Sequence, residues 1–490
     1  RYMSNWGVIE NHGLFEIGVC LPQSEKTKQF IAFAVKNLEV QVRMQIMPDG
    51  VHWEQSPMYH NEVLHCLLDV ILLAKRNDIA LPDVILRQTE KMAMADVAWL
   101  KPDHHIVMMG DSDDVDVRDR ISVAAYLFLN PVLRFGGFDR LDYESIWDLG
   151  MKAGEEYAGM ARRKPDFTSL FLEHSGNTYF RSDWSERANF LHLHSGTMGA
   201  GHGHSDKLHI DLVVNGEDVL MDGGRYTYVS GPKRFSYKDP SGHNTITVDD
   251  LPFTVCKDSW ECSKLSQPVK ENFRCTKLAE FAQAGQLGYM DLPSGVYVNR
   301  KVVYIKPDLY VLADEMYTGD RHTYQQYFHF NNHGTVTQNA PGEKKFPCVA
   351  YRGKMAEADF YFVSAQVKAE LKSGHIARHY NVEEENTVCK VTKQGEGFTS
   401  LITVIDAQPG RPLSIEKLPV RSALKQTDYP ETMAEALKIT AGEKEYVVIL
   451  CHQEVNSPTD LVEADGCMGY GNVIVFDKAG DVLVGDVLNW

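Results

Sequence analysis

The chain has 490 residues, a formal net charge of -17 and an ordinary globular share of apolar residues, which is more than one hydrophobic core normally organises, so two or three domains are expected. The acidic balance excludes a general attraction to nucleic acid or anionic membrane, both of which require clustered Lys and Arg, and no run approaches the roughly 20 apolar residues of a membrane-spanning helix. Nine scattered cysteines without a CxxC pair form neither a disulfide scaffold nor a zinc ribbon, and most of them read as buried thiols.

The chain opens on Arg1 rather than Met, which reads as a processed, tagged or truncated start. Segment Ser4–Gly13 carries Asn5, Asn11, His12 and Gly13 and reads as an interruption of any helix, with a side-chain amide beside an imidazole. From about residue 24 to 162 apolar residues recur at helical spacing: Phe30, Phe33, Ala34, Leu38 and Val42; Val63, Leu64, Leu67, Leu68, Ile71 and Leu72; Ile85, Met92, Met94 and Val97. Segments 118–130 and 144–162 continue the pattern, with Pro57, Pro82, Pro102 and Pro131 in the loops. Stacked antiparallel hairpins or part of a helical toroid both fit. Within this half, Trp53–Asn61 lets Pro57 begin a helix with Tyr59 near its first turn. The Asp-rich run Gly110–Asp116 lacks the Gly and closing Glu of a calcium loop and reads as a solvated loop leading into a helix.

Beyond about residue 176 the texture changes to short β-branched and aromatic runs, among them 208–214, 296–305, 309–312, 323–330 and 446–450. The expected organisation is a helical domain over 1–165, a large antiparallel β-sandwich over 166–407, and terminal strands over 408–490 that complete the sandwich or form a small sheet of their own. Val214-Asn215-Gly216-Glu217 predicts a two-residue hairpin loop in which opposite positions sum to 431, setting Asp222 across from His209.

The chemistry concentrates in Gly199-Ala200-Gly201-His202-Gly203-His204-Ser205-Asp206, poor core material but rich in groups for proton transfer or metal ligation. A His/Asp/His zinc site would use His204 or His209, Asp222 and His243; a metal-free hydrogen-bond network is the equal alternative. Tyr226, Tyr228 and Tyr237 lie between Asp222 and His243, and one of them, Tyr228, is a candidate for the same cleft. An acidic protein still holds a polyanion in a locally basic cleft, for which Arg118, Arg120, Arg162, Arg163, Lys164, Lys233 and Arg234 are candidates; the ordinary reading of such residues is solvated surface charge.

Four ordered motifs, Asn11-His12-Gly13, Glu54 to Tyr59, Gly201–Asp206, and Asp222-Gly223-Gly224 leading to His243-Asn244-Thr245, resemble the heparinase II/III-like polysaccharide lyases. The resemblance implies an α/α toroid followed by an antiparallel β-sandwich, and a chain that begins partway through the toroid. It implies β-elimination on a 4-linked uronate glycan, with heparan sulfate the favoured polymer. Asn11 would engage the uronate carboxylate, Tyr59 would transfer protons and His202 would assist, with His12, Glu54 and Tyr228 contributing to substrate binding. The implied metal triad is His204, Asp222 and His243, holding Zn2+ or another divalent cation such as Ca2+ in a structural role. A bacterial periplasmic or secreted location is expected from a polymer too large to be taken up intact. Other readings of the same residues are a lyase for alginate or another uronate polymer, a non-catalytic glycan-binding protein, and a zinc hydrolase acting through His204, Asp222 and His243.

Overall fold

A computed structural model describes residues 4–340, 342–455, 457, 459–478 and 483–489. Eight helices come first: α1 Asn5–Cys20, α2 Glu25–Gln45, α3 Pro57–Arg76, α4 Asp83–Trp99, α5 Arg118–Phe128, α6 Pro131–Gly136, α7 Tyr143–Leu149 and α8 Met151–Ala158. The apolar stripe predicted on α3 is the buried one, Val63, Leu64, Leu67, Leu68 and Ile71 all lying in the helical core. On α2, Ala34, Leu38 and Val42 are buried, but Phe33 is 57% exposed and Asn37 and Gln41 take the inward positions instead.

One local expectation fails. Ser4–Gly13 does not interrupt a helix; it begins α1, with the Ser4 hydroxyl capping the Trp6 N–H at 3.2 Å. Gly18 of α1 serves packing rather than termination, since a Cβ there would stand 2.7 Å from Ile31 of α2. Segment 144–162 is helical as expected and is divided into α7 and α8 at Gly150, whose φ of 92° lies outside the helical region.

The three largest of the five sheets among the described residues then stack on one another. A nine-stranded sheet runs Leu170–Leu172, Asn177–Arg181, Phe190–His194, His209–Val214, Glu217–Leu220, Arg321–Phe330, Val382–Glu396 and Lys368–His379, with Ile246–Val248 paired alongside Arg321–Phe330. Alternation sorts its side chains: Tyr179, Phe190 and Val213 join the helical core, while Phe180, Leu191 and Leu212 face an eight-stranded sheet. In that second sheet, Val302, Tyr304, Tyr310 and Leu312 point back to the first, and Val303, Ile305, Val311 and Ala313 point to a third sheet of five strands. Strands covered on both faces read as continuous apolar runs, and 296–305 and 309–312 do. The five-stranded sheet, Leu413–Leu418 through Val484–Asn489, is a separate layer rather than a completion of the sandwich.

The hairpin after Asn215-Gly216 keeps the predicted register for Val214–Glu217 and Val213–Asp218, then a bulge sets Leu212 against Leu220. The extra residue moves Asp222 out of register with His209 and brings its carboxylate to His243.

Candidate active site

Segments far apart in sequence meet where the helices face the nine-stranded sheet. Pro57 opens α3 without needing an N–H partner, and the first turn presents Tyr59. The His-rich loop is pinned over it: the Asp111 N–H donates to the His202 carbonyl at 2.8 Å, and the Ser205 N–H donates to the Lys238 carbonyl at 2.9 Å. Tyr59 and His202 stack with ring centroids 3.5 Å apart and planes 14° from parallel. The Tyr59 hydroxyl lies 2.8 Å from that of Tyr228. Arg225 donates to the Tyr228 oxygen at 2.6 Å and to the Tyr59 oxygen at 3.4 Å, held in place by two bonds to Asp113. Trp260 meets the His202 ring edge-on and stacks on Tyr228. Burial pushes the Tyr59 phenol up, against the pull of Tyr228 and Arg225, so at neutral pH it holds its proton.

Beneath this group Asp111 is wholly buried. One carboxylate oxygen is 3.2 Å from Nδ1 of His202, the other 2.9 Å from Nε2 of His204, and the guanidinium of Arg234, also fully buried, spans both. Burial opposes the Asp111 charge, but His202, His204 and Arg234 outweigh it and keep the carboxyl well below its usual range. The carboxylate on Nδ1 assigns that nitrogen the proton and leaves Nε2 of His202 as the basic position.

One step deeper, ligand atoms of His204, Asp222 and His243 all lie within 4.8 Å of one another. Nδ1 of His204 and Nε2 of His243 are buried without a hydrogen-bond partner, although buried polar atoms are ordinarily satisfied. His243 turns its other nitrogen to Asp222 at 2.8 Å. Burial pushes the His204 imidazole down to about 4, leaving it neutral as a metal ligand must be. Two nitrogens and a carboxylate fit a zinc-type donor set. His209, the alternative to His204, accepts the Asn244 N–H at 3.0 Å on Nδ1 and has Nε2 3.1 Å from Asp211, and it is not part of the group formed by His204, Asp222 and His243.

Family models match at residues 1–131, heparinase II/III N-terminus, and at residues 164–412, heparinase II/III-like C-terminal, the latter alone half of the chain. The chain belongs to the heparinase II/III-like family. It is 26% identical over 271 residues to a heparin-sulfate lyase of Pedobacter heparinus, covering 51% of this chain and 38% of that protein. It is 22% identical over 330 residues to a heparin-sulfate lyase of Bacteroides thetaiotaomicron, covering 63% of this chain and 43% of that one. The chain thus spans less than half the length of these two relatives. Among solved structures, heparan sulfate lyase of Pedobacter heparinus superposes with a TM-score of 0.72 at 18% identity, covering 92% of this chain and 66% of that one. A crystal structure of heparinase III gives 0.73 at 16% identity, covering 92% and 68%. The expected fold class, part of a helical toroid followed by a large antiparallel sandwich, is the one this heparinase II/III-like chain shares with them.

Of the residues the sequence singled out, Tyr59, His202 and Tyr228 come together, and so do His204, Asp222 and His243. Three others do not join them. Asn11 faces α2, where its oxygen accepts from Asn37 at 3.0 Å and its amide donates to the Gly7 carbonyl. His12 points to α3, its Nε2 3.4 Å from Asp69 and 3.5 Å from Glu16. Burial opposes its charge, but Asp69, Cys66 and Glu16 raise the imidazole to about 10, making it a cation clamped between helices. Asp69 lies ten positions after Tyr59, roughly 15 Å along the helix axis at 1.5 Å per residue. Glu54 is buried at 2% exposure and accepts the Asn5 N–H at 3.2 Å, so it orients α1 rather than meeting a sugar.

Asn5, rather than Asn11, is linked to the His-rich loop: its N–H donates to Glu54, whose backbone packs against Gly199. The Asn5 oxygen accepts the Trp6 N–H, and its amide hydrogens have no partner among the described residues. Asp111 and Arg225 were also missed. Asp111 belongs to the Asp-rich run expected to be solvated, and Arg225 follows Asp222-Gly223-Gly224 directly in sequence. Of the predicted basic residues, five are paired: Arg118 with Asp116, Arg120 with Asp119, Arg162 with Asp139, Lys233 with Glu383 and Arg234 with Asp111. A cavity of about 750 Å³ is lined by Arg118, Arg162, Arg181 and Trp184 and not by Tyr59 or His202.

Proposed function

We propose that this chain carries the catalytic centre of a polysaccharide lyase that cleaves 4-linked uronate glycans by β-elimination, with heparan sulfate the favoured substrate. The observation that carries the reading is the contact pair of Tyr59 and His202, a protonated phenol beside an imidazole whose Nδ1 is fixed by Asp111. The C5 proton of a uronate is weakly acidic while the neighbouring carboxylate keeps its charge. The Asn5 amide, without a partner among the described residues, and the Arg225 guanidinium are the donors that would stabilise the charge that develops there in the transition state. His202 Nε2 takes the C5 proton, and Tyr59 gives its proton to the leaving glycosidic oxygen. Tyr228 and Arg225 lower the cost of the transient tyrosinate by hydrogen bonding it. The names of the relatives, heparin-sulfate lyase and heparan sulfate lyase, support the choice of polymer. A substrate of that size places the enzyme outside the cytoplasm, in the periplasm or beyond.

The test is ultraviolet absorbance of the protein with heparan sulfate, heparin, hyaluronan and alginate in parallel. Elimination leaves a conjugated 4,5-unsaturated uronate that hydrolysis cannot produce. A rise with heparan sulfate, abolished in Tyr59→Phe at unchanged thermal stability, is the expected result. A rise with alginate alone would change the substrate, and no rise from folded protein would sink the lyase reading.

His204, Asp222 and His243 are the residues that would hold a divalent cation, zinc by the nature of the donors, supplying positive charge that fixes the His-rich loop to the sandwich. A ligand present at a thousand times its Kd stabilises the folded state by about 4 kcal/mol. Chelation is therefore expected to lower the unfolding temperature by several degrees, with turnover lost only as the fold is lost. Turnover that vanishes on chelation while the unfolding temperature stays fixed would instead indicate a metal-activated water and a hydrolase.

A further inference from the structure

Beside the catalytic rings, a short hairpin made of Val255–Cys256 and Cys262–Lys264 carries Trp260 at its tip. The two cysteines face each other across the strands in direct register, with their sulfurs 3.2 Å apart. Both are partly exposed. Five of the remaining seven cysteines are buried. The turn between them is tied to the site: the Ser259 hydroxyl donates to the Tyr228 carbonyl at 2.7 Å, and Lys238 donates to the carbonyls of Ser259 and Gly201.

We propose that Cys256 and Cys262 form a disulfide that closes the base of this hairpin and fixes Trp260 against His202 and Tyr228. Directly opposed residues of an antiparallel pair have Cβ atoms about 4.5–5.5 Å apart, and a disulfide needs about 3.5–4.5 Å. The register shift next to Cys256 lets the strands supply the difference. The oxidant is a small-molecule disulfide such as glutathione disulfide. The Cys262 thiolate attacks one of its sulfurs, forming a mixed disulfide and expelling one thiolate. Cys256 then loses its proton to solvent and attacks the Cys262 sulfur, expelling the second. Two protein thiols are oxidised and one disulfide is reduced to two thiols. The order of attack follows from the surroundings: the Cys256 hydrogen bond, helped by the Lys238 charge, holds the Cys262 thiol down to about 7, while Cys256 is pushed up.

Trypsin provides a direct readout, because Lys257 separates the two cysteines. The folded chain is incubated with glutathione disulfide at about pH 8, close to the ordinary thiol pKa, then blocked with iodoacetamide and digested without reductant. Peptides 239–257 and 258–264 are expected as one joined species that reduction splits. In Cys256→Ser, glutathione should instead remain on Cys262, because the resolving thiol is gone. The amides of the turn, 257–261, should exchange at least about tenfold more slowly in the oxidised protein than after reduction. Recovery of both cysteines alkylated on separate peptides, a glutathione adduct that persists on Cys262 in the unmodified sequence, or unchanged exchange in joined protein would each overturn the proposal. None of these readouts depends on lyase activity.

Discussion

Replacing Asn5 by Ala is expected to lower kcat about 100- to 1,000-fold, the usual consequence of removing one preorganised donor to a developing anion, while the unfolding temperature barely moves. Asn11→Ala should do the opposite. Asn11 sits in the contact between α1 and α2, where its oxygen receives the Asn37 amide at 3.0 Å. Truncation strands that buried donor and removes about 1–3 kcal/mol of stability, with kcat close to the unaltered protein below the melting range. Six residues separate the two asparagines on one helix, roughly 9 Å of rise, so one substrate group cannot be served by both. Measuring kcat and thermal unfolding on the same two variants decides the assignment. A collapse of kcat in Asn11→Ala at unchanged unfolding temperature, with Asn5→Ala active, would return the role to Asn11 and discard the placement of the uronate at the N-terminal end of α1.

The confusion between these two residues illustrates what a sequence of this kind discloses. The helices of the first half and the long strands of the second are legible because burial imposes a period: the stripe on α3 repeats every three to four residues, and the sandwich strands run apolar because both faces are covered. Tyr59, His202 and the His204, Asp222 and His243 set are legible because their neighbours, Pro57 and clustered glycines, are costly anywhere else. What stays hidden is set by tertiary pairing. Asp111 lies 91 positions from His202 and 123 from Arg234, and nothing local distinguishes it from Asp113 or Asp114. Its run looks solvated because single-sequence reasoning prices a carboxylate as exposed unless its partner is in view. Asn5 and Asn11 look alike for the same reason: both sit beside a glycine and an aromatic or imidazole ring, and only the fold says which end of α1 abuts Glu54. The bulge after Val213 likewise has no marker in the chain, yet it carries Asp222 to His243.

Asp111 is where stability and chemistry are joined most tightly, and Asp111→Asn should damage both. The amide keeps the size but removes the charge that faces a fully buried guanidinium, and breaking one side of a buried pair typically costs about 3–5 kcal/mol. Turnover should fall further than stability accounts for, because a neutral amide no longer fixes the proton on Nδ1 of His202, and Nε2 ceases to be reliably basic. A second replacement separates the two effects. In Asp111→Asn combined with Arg234→Met the stranded cation is gone, and unfolding is expected to return most of the way to that of the unaltered protein. His202 still lacks the carboxylate that fixes its Nδ1 proton in that variant, so kcat should remain depressed. Were the double variant to regain turnover together with stability, Asp111 would be a packing residue alone and the orientation of His202 would have to come from its stack on Tyr59. Were the single variant to keep its unfolding temperature, the Arg234 charge would have to be compensated by something other than Asp111, which the contacts of that guanidinium, Asp111 on both nitrogens with His204 3.5 Å away, do not provide.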